Sequence, residues 1–177
     1  MTKQVGKKFV WLIQNFSSLQ SEKFIYSDPV LIGGYKWRLC AYPKGNQVAD
    51  HFSLFLQVVD YKSLPSVWRR FVKYRLTIVP QPGKTLVQRK SHRWFDKMGF
   101  NWGYGLMIPL TKLQNKDEGF LVNGELTIVA EVDVLEVVGT VDASGKSIES
   151  SSPMKKRKLN NAEASSVNWI QVLPSQN

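Results

Sequence analysis

Apolar and polar residues alternate with a period of two along much of this chain, the signature of strands with one buried face. From His51 to Asp60, the residues Phe52, Leu54, Leu56 and Val58 fall on one side, and His51, Ser53, Phe55 and Gln57 on the other. Leu126, Ile128, Ala130, Val132 and Val134 oppose Glu125, Thr127, Glu131 and Asp133. After Gly34, the residues Tyr35, Trp37, Leu39 and Ala41 are expected inside, and Lys36, Arg38 and Cys40 outside. Turn signals separate these runs at Ser27-Asp28-Pro29, Gly33-Gly34, Pro43-Lys44-Gly45-Asn46, Pro80-Gln81-Pro82-Gly83 and Asn123-Gly124. Short strands between such turns predict an all-β fold, an antiparallel sandwich or barrel, over the first 137 residues. Helix is expected only as short turns near Phe16–Leu19, Ser63–Pro65 and Thr111–Gln114.

Beyond Val138 the pattern stops. The stretch GTVDASGKSIESSSPMKKRKLNNAEASS is small and polar without periodicity, and predicts a disordered tail over 138–177. Within it, Lys155, Lys156, Arg157 and Lys158 follow a proline and form a compact basic cluster. Nuclear-import receptors read such extended cationic runs, so these four residues are the candidate nuclear localisation signal.

Composition narrows the function classes. The chain of 177 residues carries a single cysteine, Cys40, so it forms no internal disulfide, in keeping with a reducing compartment. The N-terminus lacks the apolar core of a signal peptide, and no run is long enough to span a bilayer. The expected setting is therefore intracellular, in nucleus or cytoplasm, without membrane association. Net charge is +10, and residues 62–97 hold ten Lys or Arg against Asp96 alone. That density fits acidic peptides or phosphate groups, and also a solvated face. It makes a nucleic-acid-binding module the competing reading.

Enzyme signatures fail on spacing. Gly83-Lys84-Thr85 imitates the end of a phosphate-binding loop, but the first glycine of that motif would fall at Ile78. Gly99, Gly103 and Gly105 do not match a dinucleotide fingerprint. Two histidines and one cysteine lack the spacing of a zinc site. A Cys40–His51 or Cys40–His92 nucleophile pair has no supporting motif. Neither catalysis nor a cofactor is expected.

Several stretches in order resemble the MATH family, also called the TRAF homology domain. Phe9-Val10-Trp11-Leu12-Ile13-Gln14-Asn15-Phe16-Ser17 is similar to its opening strand and turn. Tyr26-Ser27-Asp28-Pro29, then Ile32 to Leu39, resembles the second signature, with Tyr42 to Asn46 as the hairpin beyond. His51 to Leu56, Trp102-Gly103-Tyr104 and Pro109-Leu110 resemble later ones. The match covers residues 6–137 and looks most like the plant branch.

The resemblance implies a non-catalytic adaptor that binds short Ser/Thr-rich peptides by β-augmentation in a shallow groove. Carried over by position, His51, Tyr74, Trp94, Trp102 and Tyr104 would line that groove, and Asn101 and Gly103 would present backbone. Gly103 would permit close approach of the peptide, while the alternation of Tyr74 with Leu76 and Ile78 argues for core. Asn101 stands where relatives often carry an acid, His51 where they carry tyrosine, and Phe100 where some carry lysine. Val167 to Gln176 resembles the lead-in to a coiled coil, and the chain ends before any heptads. The expected state is a monomer or weak self-association.

Overall fold

The computed structural model describes residues 5–141 and 147–148. Two antiparallel five-stranded sheets face each other. The first has the order β1 (Val5–Ile13), β10 (Glu125–Val138), β6 (Arg69–Val79), β7 (Val87–Asp96), with β9 (Leu121–Val122) also on β10. The second runs β2 (Ile25–Tyr26), β4 (Tyr35–Tyr42), β5 (His51–Val58), β8 (Asn101–Pro109), with β3 (Val30–Ile32) also on β4. A one-turn helix, α1 (Leu110–Leu113), and 3-10 turns at Phe16–Ser21 and Tyr61–Ser63 make up the described helical residues. Thr140–Val141 pairs with Ser147–Ile148 just after β10. That pair falls in the stretch expected as tail; residues 142–146 and 149–177, including Lys155 to Lys158, lie outside the described residues.

The alternation read from the sequence sets the core. Phe52, Leu54, Leu56 and Val58 of β5 meet Leu126, Ile128, Ala130, Val132 and Val134 of β10 in one cluster of buried side chains. Trp37 and Phe95 join them across the sheets, rings edge to face at 5.0 Å. Trp37 also donates its indole N–H to the Ile32 carbonyl at 3.1 Å, so its polar end is satisfied inside.

Alternation was less informative about the outer face of β5. Ser53, Phe55 and Gln57 do point away from the core, yet all three are buried, as is Cys40 on the neighbouring strand. The reason is a second layer on that face. Tyr42 sets its ring edge to face on Phe55 at 5.7 Å, and Phe24 packs on Tyr42 and Tyr26. The Arg38 guanidinium lies 3.6 Å over the Tyr26 ring while its Nε donates to Gln57 Oε1 at 2.7 Å.

The two sheets leave a side where their edges meet. β7 ends the first sheet and β8 ends the second, and residues 97–100 carry the chain from one to the other. Asp96 shapes this connection: its carboxylate accepts the backbone N–H groups of Met98 at 2.9 Å and Gly99 at 2.7 Å.

Candidate functional site

β8 offers an open edge whose register is fixed by its one partner. Val58 N–H donates to the Phe100 carbonyl at 3.0 Å, and the pairing continues through Leu56–Trp102 and Leu54–Tyr104. In an antiparallel ladder the backbone groups of alternate residues serve the neighbour and the rest face away. Asn101 and Gly103 are the residues in between, so their N–H and C=O groups turn outward from β5. A Cβ on Gly103 would collide with the Leu54 carbonyl and stand 2.5 Å from Phe55 Cα. The glycine is thus required by the close approach of β8 to β5, which leaves its outward N–H and C=O groups facing away from that strand.

β7 forms the opposing lip. Asp96 N–H donates to the Gly99 carbonyl at 3.0 Å, and the Trp102 indole N–H reaches the carbonyls of Trp94 at 3.2 Å and Gly99 at 2.9 Å. Trp102 therefore closes one end of the cleft between the strands. Farther along, Tyr104 Oη donates to Ser91 Oγ at 3.0 Å, and Arg89 reaches the Met107 carbonyl at 3.4 Å.

Arg89, Ser91 and Arg93 pair in register with Leu76, Tyr74 and Val72, all buried, so they occupy the core-facing side of β7 at its open edge. Burial raises the pKa of Tyr104, opposed by its bonds to Ser91 and Tyr74 and by the charges of Arg93 and Arg89. Burial likewise pushes Tyr74 well above the ordinary phenol range. Arg93 Nε and Asn101 Oδ1 are buried without hydrogen-bond partners among the described residues. Ion pairs among those residues join Arg69 to Asp96 and Arg75 to Glu131; neither involves Arg89 or Arg93.

The arrangement of strands has known counterparts. Residues 8–132 match the family model described as MATH domain. The chain belongs to the MATH domain family. It is 55% identical to a MATH domain and coiled-coil domain-containing protein of Arabidopsis thaliana, over 99% of this chain and 58% of that protein. It is 47% identical to the protein RESTRICTED TEV MOVEMENT 3 of the same plant, over 99% of this chain and 56% of the relative. The chain thus spans a little over half the length of these relatives. Among solved structures, TRAF5 of Notothenia coriiceps shares the fold, with a TM-score of 0.55 at 20% identity over 72% of this chain and 73% of that one. MATH domains are protein-interaction modules in TRAF-like proteins.

Within this MATH domain, the residues carried over by resemblance fall in four places. Asn101, Gly103 and Tyr104 lie together on the open edge and its cleft. Trp102 and Tyr74 are core, 0% and 2% exposed, so their side chains cannot line a surface groove. Trp94 is also buried, on the opposite face of the first sheet, packed on Phe71 at 5.1 Å and under the Arg69 guanidinium at 4.3 Å. His51 is half-buried at the far end of β5, paired with Pro109, with its Nδ1 3.2 Å from the Ala49 carbonyl. It lies six positions from Gln57, the partner of Asn101, a distance of roughly 20 Å along an extended strand.

The residues that position alone did not pick out are Phe55, Arg89, Ser91 and Arg93. Phe55 pairs directly with Gly103 and lies beneath the outer face beside the open edge. The charged residues were visible as part of the basic segment, but which of them share a face follows from their register with β6. Cys40 sits behind Tyr42, and burial pushes its thiol up to about 12, far from a nucleophilic thiolate.

Proposed function

We propose that this MATH domain is a non-catalytic adaptor that takes up a short extended segment of a partner protein as an added strand on β8. The observation that carries the reading is the character of that edge. Its sequence, Asn101 to Pro109, holds no charged residue, whereas the other long edge strands carry Lys7 and Lys8 on β1 and Arg89, Lys90 and Arg93 on β7. Charges on an edge discourage strand pairing, and their absence leaves the outward groups of Asn101 and Gly103 free to bond a peptide backbone. Side chains of the added strand would alternate between the Tyr104 cleft and the face above Phe55. Ser or Thr fits the cleft because Tyr104 and Ser91 present hydroxyls there.

Partners are thus proteins carrying short linear Ser/Thr-rich motifs, and binding requires no cofactor. The domain works as a monomer or weakly associated unit in nucleus or cytoplasm, with Lys155 to Lys158 supplying the import signal. No helix among the described residues is long and apolar enough to cross a membrane. A nucleic-acid role for the 62–97 strands finds less support. Lys73 and Arg75 alternate across the outer face with Asp133 and Glu131, and the Trp94 ring, needed for base stacking, is buried.

The test begins with peptides selected from a random displayed library, titrated into 15N-labelled protein. The amides of Asn101 and Gly103 should shift, and N-methylation of alternate peptide bonds should weaken binding in one register and spare it in the other. Binding indifferent to the methylation register, or confined to the outer face of the first sheet and displaced by nucleic acid, would overturn the adaptor reading.

A further inference from the structure

The cleft between the two edges has a chemical bias of its own. Arg89, Ser91 and Arg93 follow one another at every second residue of β7, all on the side that faces the cleft. Their spacing, about 6.6 Å per pair of residues, equals the spacing of same-face side chains in an extended peptide. Contacts across the cleft fix the order: Trp102 on the Trp94 carbonyl, then Tyr104 on Ser91, then Arg89 on the Met107 carbonyl. Arg93 falls between the first two, with its Nε buried and unpartnered among the described residues, and its Nη1 bonded to the carbonyl of its own neighbour His92 at 3.2 Å. No carboxylate among the described residues pairs with either arginine. Two guanidinium groups thus flank a pair of hydroxyls along a strip that an added strand on β8 would face.

We infer that Arg89 and Arg93 are specificity residues that select a bound segment with anionic side chains two residues before and two residues after a central Ser or Thr. This rests on strand addition to β8. The anion is an acidic side chain or a phosphorylated Ser or Thr, since a guanidinium bonds carboxylate and phosphate oxygens by the same planar geometry. The symmetric pattern makes the direction of the bound strand immaterial. Lys90, on the same strand, belongs to the opposite face and pairs with Arg75, so it should not contribute.

The test uses fluorescein-labelled nonapeptides with a central Ser and, at the two flanking positions, Glu, Gln, Lys or phosphoserine. Each is measured by fluorescence anisotropy and by amide shifts, against wild type, Arg89→Gln, Arg93→Gln, the double variant and Lys90→Gln. Wild type should bind the Glu peptide at least ~10-fold more tightly than its Gln twin, as charge-assisted hydrogen bonds outweigh neutral ones. The double variant should lose that preference, and Lys90→Gln, with the same change of charge as a single arginine variant, should keep it. Comparison of the phosphoserine and Glu peptides identifies the anion, and either sustains the proposal. If the preference survives in the double variant, or falls as far in Lys90→Gln, while Asn101 and Gly103 amides still shift, the arginine assignment is wrong and strand addition stands. If the peptides neither bind nor move those amides, both ideas fall.

Discussion

β7 and β8 are edge strands on the same side of one sandwich, built on opposite principles. β7 carries three cations in five residues, Arg89 to Arg93, and its backbone at the Trp94 end is occupied by the Trp102 indole. β8 carries no charge, and a glycine in its middle brings it so close to β5 that no side chain fits. A charged edge resists pairing with another strand, and an uncharged one invites it. Under the proposed strand addition the pair would divide the labour of recognition. β8 would supply backbone bonds, which are blind to sequence, and β7 the side chains that discriminate. The cations of β7 can serve solubility as well, but solubility places no demand on their register.

The comparison can be broken most severely at the joint between the strands. Trp102→Ala removes a fully buried ring and its indole bonds to Trp94 at the end of β7 and to Gly99 in the connection, and should cost about 3–5 kcal/mol in chemical denaturation. A loss below 1 kcal/mol would mean that the ring is not core. Gly103→Ala tests the close approach of β8 to β5. Its Cβ has no room, so destabilisation of about 1–3 kcal/mol is expected, with the β5–β8 amides shifting most in NMR spectra. A neutral result would return the glycine to a role in ligand contact alone.

Tyr104→Phe keeps the ring and removes the bond to Ser91, for about 1 kcal/mol. Thermal melts of this variant and of Ser91→Ala, with the double mutant, would isolate the coupling across the cleft, and strictly additive losses would deny it. The smallest effect belongs to Arg89→Gln. An exposed cation without an ion-pair partner among the described residues should change stability by no more than ~0.5 kcal/mol. A larger loss would make it a structural residue and undo the contrast with β8.

Much of this architecture was legible in the chain. The period of two in β5 and β10 named the core residues correctly, because a strand between two sheets has to bury one face. The turns at Gly33-Gly34 and Asn123-Gly124 announced themselves, since Gly33, Gly34, Asn123 and Gly124 all adopt positive φ, which few other residues tolerate. The short helical turns near Phe16, Tyr61 and Leu110 were also anticipated to within a few residues. Tyr74 shows the local pattern outperforming positional resemblance: its alternation with Leu76 and Ile78 pointed to the core, where it lies.

Other features required the tertiary structure. Alternation says which way Phe55 and Cys40 point, but not that Tyr42 and Phe24 cover them, because that layer is assembled from distant strands. The resemblance assigned His51 and Asn101 to one groove without giving their separation, and antiparallel pairing sets them at opposite ends of β5. The sequence by itself determined an all-β antiparallel fold, its core and the presence of a basic segment, since these follow from local periodicity and composition, while the sandwich rather than a barrel was implied by the family resemblance. Only the folded chain decided which cations share a face with Tyr104 and which edge is left open. Those depend on register and on strand order between sheets, and no local pattern encodes either.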